Sequence, residues 1–290
     1  MTVIVGTLKE IRRYPIKSME GELLDTVDVS VRGLPGDRAW AVRDEIRGGI
    51  RGAKKIAALM ELRARYTSPP AAEGSSPAEI TLPDGSQVGT GDEDVSERVS
   101  KALDHTVTLW PLLPAENLDH YRRVIDDPEN IETELRNMFA RNADEALPDL
   151  GAFPPELTEF ESLPGTYFDA FPILIMTQAG LDTHQTRTPD SVFDVRRFRP
   201  NLLISDTSSS AAPFPEFEWT GRSLRIGEAV FKIEIDCPRC VMTTHGFSDL
   251  PKDPKIMRAL VKESGGNLGV YASIETPGRI QIGDTAELIP

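Results

Sequence analysis

Short runs of β-branched and aromatic residues, each closed within a dozen positions by glycine, proline or aspartate, most constrain how this chain can fold. Residues 3–13, 24–31, 39–43, 56–66, 80–82 and 107–110 have this form, as do 171–176, 201–205, 219–236, 270–274 and 279–289. Asp84-Gly85 and Gly227-Glu228 are hairpin signals within them. Helical periodicity is confined to a few stretches. Val95, Val99 and Leu103 follow Asp92 and Asp94 as candidate caps; Ile131, Leu135, Met138 and Phe139 follow Asp127 as N-cap and Pro128 as first helical residue. Thr177 is placed to cap a helix through Leu181, residues 191–197 form a short helix, and Ile256, Leu260 and Val261 lie between Asp253-Pro254 and Gly265-Gly266. The pattern predicts a mainly β protein with helical insertions (α+β): an N-terminal β domain over 1–112, an acidic helical insertion or linker over 113–165, and a second, β-rich unit over 166–290.

Charge narrows the partners. Against 46 Asp+Glu stand 32 Lys+Arg, a net −14, which argues against nucleic acid and anionic membrane. Residues 115–161 alone hold 13 acids, 4 arginines and no lysine, a local −9 that reads as a solvated face or as a docking surface for a basic protein. No apolar run is long enough to span a bilayer, and Val3-Ile4-Val5 is cut off too soon for a signal peptide, so a cytoplasmic location is expected.

Two cysteines cannot make a disulfide framework, and here they sit together as Cys237-Pro238-Arg239-Cys240, between an alternating strand and the β-prone Val241-Met242-Thr243-Thr244. Four readings compete. A zinc half-site needs two more ligands, and His105, His120, His184 and His245 lack ligand spacing. A redox dithiol should open a helix. Both cysteines could be small buried residues, or one could be a functional thiolate whose ionisation Arg239 favours. Elsewhere, Tyr14-Pro15-Ile16-Lys17-Ser18, Gly33-Leu34-Pro35-Gly36-Asp37-Arg38 and Arg196-Arg197-Phe198-Arg199-Pro200-Asn201 each set a cation or amide beside a turn. Such donors suit a phosphate-bearing ligand, although singly each also reads as a surface ion pair.

Taken in order, Tyr-Pro-Ile-Lys-Ser, Gly-Asp-Arg, Phe-Arg-Pro-Asn, Cys-Pro-Arg-Cys-Val-Met-Thr-Thr and the closing Ile282-Gly283-Asp284 resemble the MOSC family, named for the C-terminal domain of molybdenum cofactor sulfurases. The chain is most similar to its two-part members, with a MOSC N-terminal β-barrel domain before a MOSC β-barrel-like domain, a group that includes the mitochondrial amidoxime reducing component and bacterial relatives. The resemblance covers nearly the whole chain except about 113–165. It implies a molybdenum cofactor (Mo-molybdopterin) in a cleft between the two parts, with Cys240 as metal ligand and catalytic thiolate. Lys17, Ser18, Arg38, Thr177, Arg199, Asn201 and Arg239 match its cofactor-binding positions. Met19 stands where many relatives have cysteine. The implied activity is reduction of small N-hydroxylated compounds by oxygen-atom abstraction. The chain ends without the ferredoxin-like domain of some bacterial relatives, so a separate electron-donor protein is expected. The family also implies two alternatives: a sulfur carrier bearing a Cys240 persulfide, or a non-catalytic protein that binds and delivers the cofactor.

Overall fold

Leu8 and Ile11 on the first strand, Val3–Arg13, face inward while Thr7 and Lys9 face solvent, the alternation of a sheet with one wet side. The computed structural model, which describes residues 2–125, 128–206 and 212–290, places this strand between Leu202–Asp206 and the last strand, Thr285–Ile289. Gly6 permits the close approach, since a Cβ there would lie 2.1 Å from the Ser205 carbonyl oxygen. The sheet runs on from Leu202–Asp206 through Ile173–Thr177, Asn267–Thr276, Ala229–Pro238 and Ser223–Ile226 to Thr285–Ile289, and so closes into a seven-stranded barrel. Within the barrel, among the described residues, only Ile173–Thr177 and Leu202–Asp206 pair in parallel; the helix Gln178–Arg187 lies between them in sequence, as such a crossover requires. Leu8, Ile175, Ile204, Leu224, Phe231 and Ile233 fill the barrel.

A second lobe carries two three-stranded sheets, one formed by Ile50–Arg51, Trp40–Asp44 and Val107–Pro111, the other by Arg63–Arg65, Glu79–Thr81 and Gln87–Gly89. Its core of Ile16, Val42, Leu59, Ile80 and Val99 also takes in Met242, Phe247 and Leu250 from the cysteine loop and the residues after it. The lobes therefore share a core where that loop lies. Among the described residues no helix is long and apolar enough to cross a membrane.

Several local expectations change. Residues 56–66 are not one strand: Ala57–Glu61 is a 3-10 turn that buries Leu59 and Met60, and only Arg63–Arg65 is extended. Residues 24–31 split between Glu22–Leu24 on the barrel strand and Thr26–Val29 on Gly278–Gln281. Val241–Thr244 is a 3-10 turn rather than a strand, because the Thr243 and Thr244 hydroxyls donate to the Cys240 and Val241 carbonyls three residues back. Helix content in 191–197 shrinks to Val195–Arg197, started by the Asp194 carboxylate accepting from the Arg196 N–H. Asp94 precedes the helix Val95–Leu103 without a side-chain cap bond, while Asp92 accepts from Gly89 instead. Pro128 opens a 3-10 turn, the helix Ile131–Met138 starts after Asn130, and Asp127 lies outside the described residues.

Candidate functional site

A cavity of about 400 Å³ lies where the lobes meet, and its lining includes Lys17, Ser18, Arg38, Arg199, Asn201, Arg239 and Cys240. Each arrives at a strand end or a turn. Three of them, Ser18 (φ 69°), Arg38 (φ 49°) and Arg199 (φ 56°), hold left-handed backbones, and the described residues contain only six such non-glycine positions. That conformation is costly for a side-chain-bearing residue and persists where surrounding structure imposes it, commonly at ligand sites.

Lys17 is 4% exposed, and its Nζ donates to the Tyr167 carbonyl at 2.9 Å and to Asp169 at 2.8 Å. Burial pulls its pKa below the ordinary lysine value against the pull of Asp169. Burial pushes the Asp169 carboxyl the other way, but Lys17 and Lys54 outweigh it and hold that carboxyl well below the usual range. Arg38 and Arg199 both lie over the Tyr14 ring, 4.9 and 4.1 Å from its centroid. Arg38 donates to Asp37. Arg199 donates to the Met19 carbonyl, yet its buried Nη2 has no partner, and burial draws its pKa down to about 10. Ser18 Oγ accepts from the Ala53 N–H at 2.9 Å. The Asn201 amide donates to Asp37 at 3.0 Å and accepts from Leu174 at 3.1 Å, steadying Asp37 and through it Arg38.

The two thiols differ. Cys237 is 1% exposed, and its Sγ accepts from Arg239 Nη1 at 3.0 Å, while burial pushes its pKa up despite that contact. Cys240 is half-buried on the cavity wall. The cation between them is thus turned toward Cys237, which residue spacing could not indicate. Behind the loop, buried Arg197 donates to the carbonyls of Val192, Thr243, His245 and Pro251 and fastens the turn that follows Cys240.

Thr177 is placed elsewhere. Fully buried, it caps its helix by accepting from Gly180 and donates its hydroxyl proton to Glu216, and the cavity lining does not include it. Lys54, Asp169 and Tyr271 line the cavity without having been singled out in sequence. Asp169 raises Lys54 above its ordinary value. The available signals were Lys54 just after the Gly52 turn and Asp169 just before Phe171-Pro172.

Fold and site together define a two-lobed β protein whose cleft joins one accessible thiol to clustered cations. The MOSC domain model matches residues 163–287, and the MOSC N-terminal beta barrel domain model matches residues 5–107. The chain belongs to the MOSC-domain family, in its two-part form. It is 24% identical to mitochondrial amidoxime reducing component 2 of Bos taurus, over 97% of this chain and 82% of that one. It is 25% identical to mitochondrial amidoxime-reducing component 1 of Mus musculus, over 98% and 83%. With component 2 of Homo sapiens identity reaches 30%, over 51% of this chain and 43% of the other. Among solved structures, the YuaD protein of Bacillus subtilis aligns over 99% of this chain and 97% of its own with 12% identity and a TM-score of 0.44.

Proposed function

We propose that this protein binds a molybdenum cofactor in the cavity and reduces small N-hydroxylated compounds there. The observation that carries the reading is the cavity's donor set. Buried cations Lys17, Arg199 and Arg239 converge with Arg38 on the same space as Cys240, and one Arg199 nitrogen has no protein partner. A buried guanidinium nitrogen that lacks an acceptor, beside further cations, fits an anionic ligand bearing phosphate and carbonyl oxygens. Among the described residues no group of three or more His, Cys, Asp or Glu could hold a metal ion. A metal beside Cys240 would therefore bring other ligands with it, and thiolate sulfur suits molybdenum.

When bound, the cofactor supplies the two-electron chemistry. In the overall reaction the N–O bond breaks, two electrons and two protons are taken up, and the oxygen leaves as water. Lys17, Arg38, Arg199 and Arg239 hold the anionic parts by charge-assisted bonds, and Asn201 and Asp37 fix the Arg38 fork. Lys54, kept protonated by Asp169, provides a cation near Cys240. The electrons come from outside this site, for which a separate donor protein is the proposed source.

Purified protein with a full complement of molybdenum should reduce an amidoxime when supplied with a reduced viologen. No turnover under those conditions would overturn the reductase reading in favour of cofactor storage or sulfur delivery. Arg199→Ala should fold and yet lose bound pterin, because removing a charge-assisted contact in a closed site weakens binding by roughly 1.5–3 kcal/mol, or about 10- to 150-fold. Pterin content equal to wild type would reduce Arg199 to an ordinary structural arginine.

A further inference from the structure

Residues 113–165, expected to be a solvated insertion or a docking face, contribute one wall of the cavity. The helix Ile131–Met138 buries none of its residues. Its apolar stripe, Ile131, Leu135 and Met138, joins none of the hydrophobic cores but lines the cavity, together with Phe153 and Leu157. A stripe at i, i+4, i+7 normally covers a protein core; here it covers a space whose other side holds Cys240 and the cations. The segment is tied down at its edges by polar contacts: Lys55 to Glu134, Arg258 to Glu145 at 2.6 Å, and Arg141 to the Gly265 carbonyl at 2.6 Å. Phe153 stands edge-on to Tyr271, which also meets Phe171, so the apolar wall continues onto the barrel side of the cavity.

We infer that Leu135, Met138 and Leu157 form a subsite for an apolar substituent of the substrate, and so determine which N-hydroxylated compounds the protein prefers. This rests on the reductase reading above. The compounds selected are neutral ones carrying an aryl or branched alkyl group. A cationic substituent would enter a cavity whose lining carries more Lys and Arg than acids, the acids being Glu134, Glu161 and Asp169, and a small polar one would leave the stripe facing water. On the helix Glu132 is exposed while Leu135 and Met138 are half-buried; the acids of the segment that do reach the cavity are Glu134, paired with Lys55, and Glu161.

The test uses holoprotein and two amidoximes that differ only in substituent, methyl against phenyl. Wild type should favour phenyl in kcat/KM. In L135N/M138N, and separately in Leu157→Asn on another turn, that preference should fall by about tenfold or more, the scale of discrimination an apolar pocket provides. A second readout needs no turnover: calorimetric binding of benzamide, a neutral aryl compound that is not N-hydroxylated, should weaken by a similar factor in the same variants. If amidoximes are reduced but the phenyl-to-methyl ratio and benzamide binding do not move, the subsite is overturned while the reductase reading stands. If nothing is reduced but benzamide binding depends on Leu135 and Met138, the subsite stands and the reductase reading fails.

Discussion

Cys240→Ala should leave the purified protein without molybdenum and without turnover, whereas Cys237→Ala should keep most of both. The two side chains are three residues apart but lie in different surroundings. Cys240 is half-buried and has partial access to the cavity. Cys237 is sealed from solvent and already holds Arg239. Losing a metal's own protein ligand should exceed the roughly 10- to 100-fold effect of losing an outer hydrogen-bond partner. Truncating Cys237 releases one bond of Arg239, which retains its contact with the Phe198 carbonyl. Metal analysis beside an amidoxime assay distinguishes the outcomes. Equal loss in both variants would restore a paired-cysteine site, and equal retention would remove Cys240 as a ligand.

Arg197→Leu should destabilise the protein by about 3 kcal/mol or more and expose Cys240. Its guanidinium lies 1% exposed at the centre of four carbonyl bonds, with lengths of 2.7 to 3.4 Å, that gather Val192, Thr243, His245 and Pro251 around one side chain. Leucine fills part of the volume and satisfies none of them, and each unmet buried carbonyl costs about 1–3 kcal/mol. Urea unfolding of the cofactor-free variant measures the loss. Labelling of Cys240 by a thiol reagent, in a Cys237→Ala background, measures the loosening. A shift below about 1 kcal/mol with unchanged labelling would mean that the loop does not depend on this arginine.

Much of the site was legible because its residues announce themselves locally. Lys17, Arg38 and Arg199 each adjoin a proline or glycine turn, and the Cys-x-x-Cys spacing is visible in any reading. Asp169 and Lys54 were not legible, since an acid near a strand start and a lysine pair near a glycine describe much of any surface. Nor could spacing reveal that Arg239 faces Cys237, or that Thr177 would use its hydroxyl on Gly180 and Glu216. The left-handed backbones of Ser18, Arg38 and Arg199 belong to tertiary constraint, because none of these residue types asks for them. Among the elements, alternation identified the strands of the hairpin Ser223–Ile226 and Ala229–Pro238, but alternation gives a strand its face and not its partner. Val241–Thr244 went wrong where two threonine hydroxyls competed with β propensity and won. The helix Ile131–Met138 was found by its period, while what its apolar side covers depended on the far wall of the cavity.

The pairing of Val3 with Leu288 has a consequence for how the molecule is made. Synthesis at about 5–20 residues per second separates residue 13 from residue 285 by roughly 15–55 s. Throughout that interval the edge of the first strand that meets Thr285–Ile289 stays open, and an open strand edge is a template for pairing with other chains. The lobe built around Ile80 and Val99 can gather most of its core early, but the barrel closes only after Thr285–Ile289 leaves the ribosome. Slowed translation between residues 206 and 285 should therefore lengthen the vulnerable period, and chaperone demand should track that delay more closely than it tracks the stability of the finished fold.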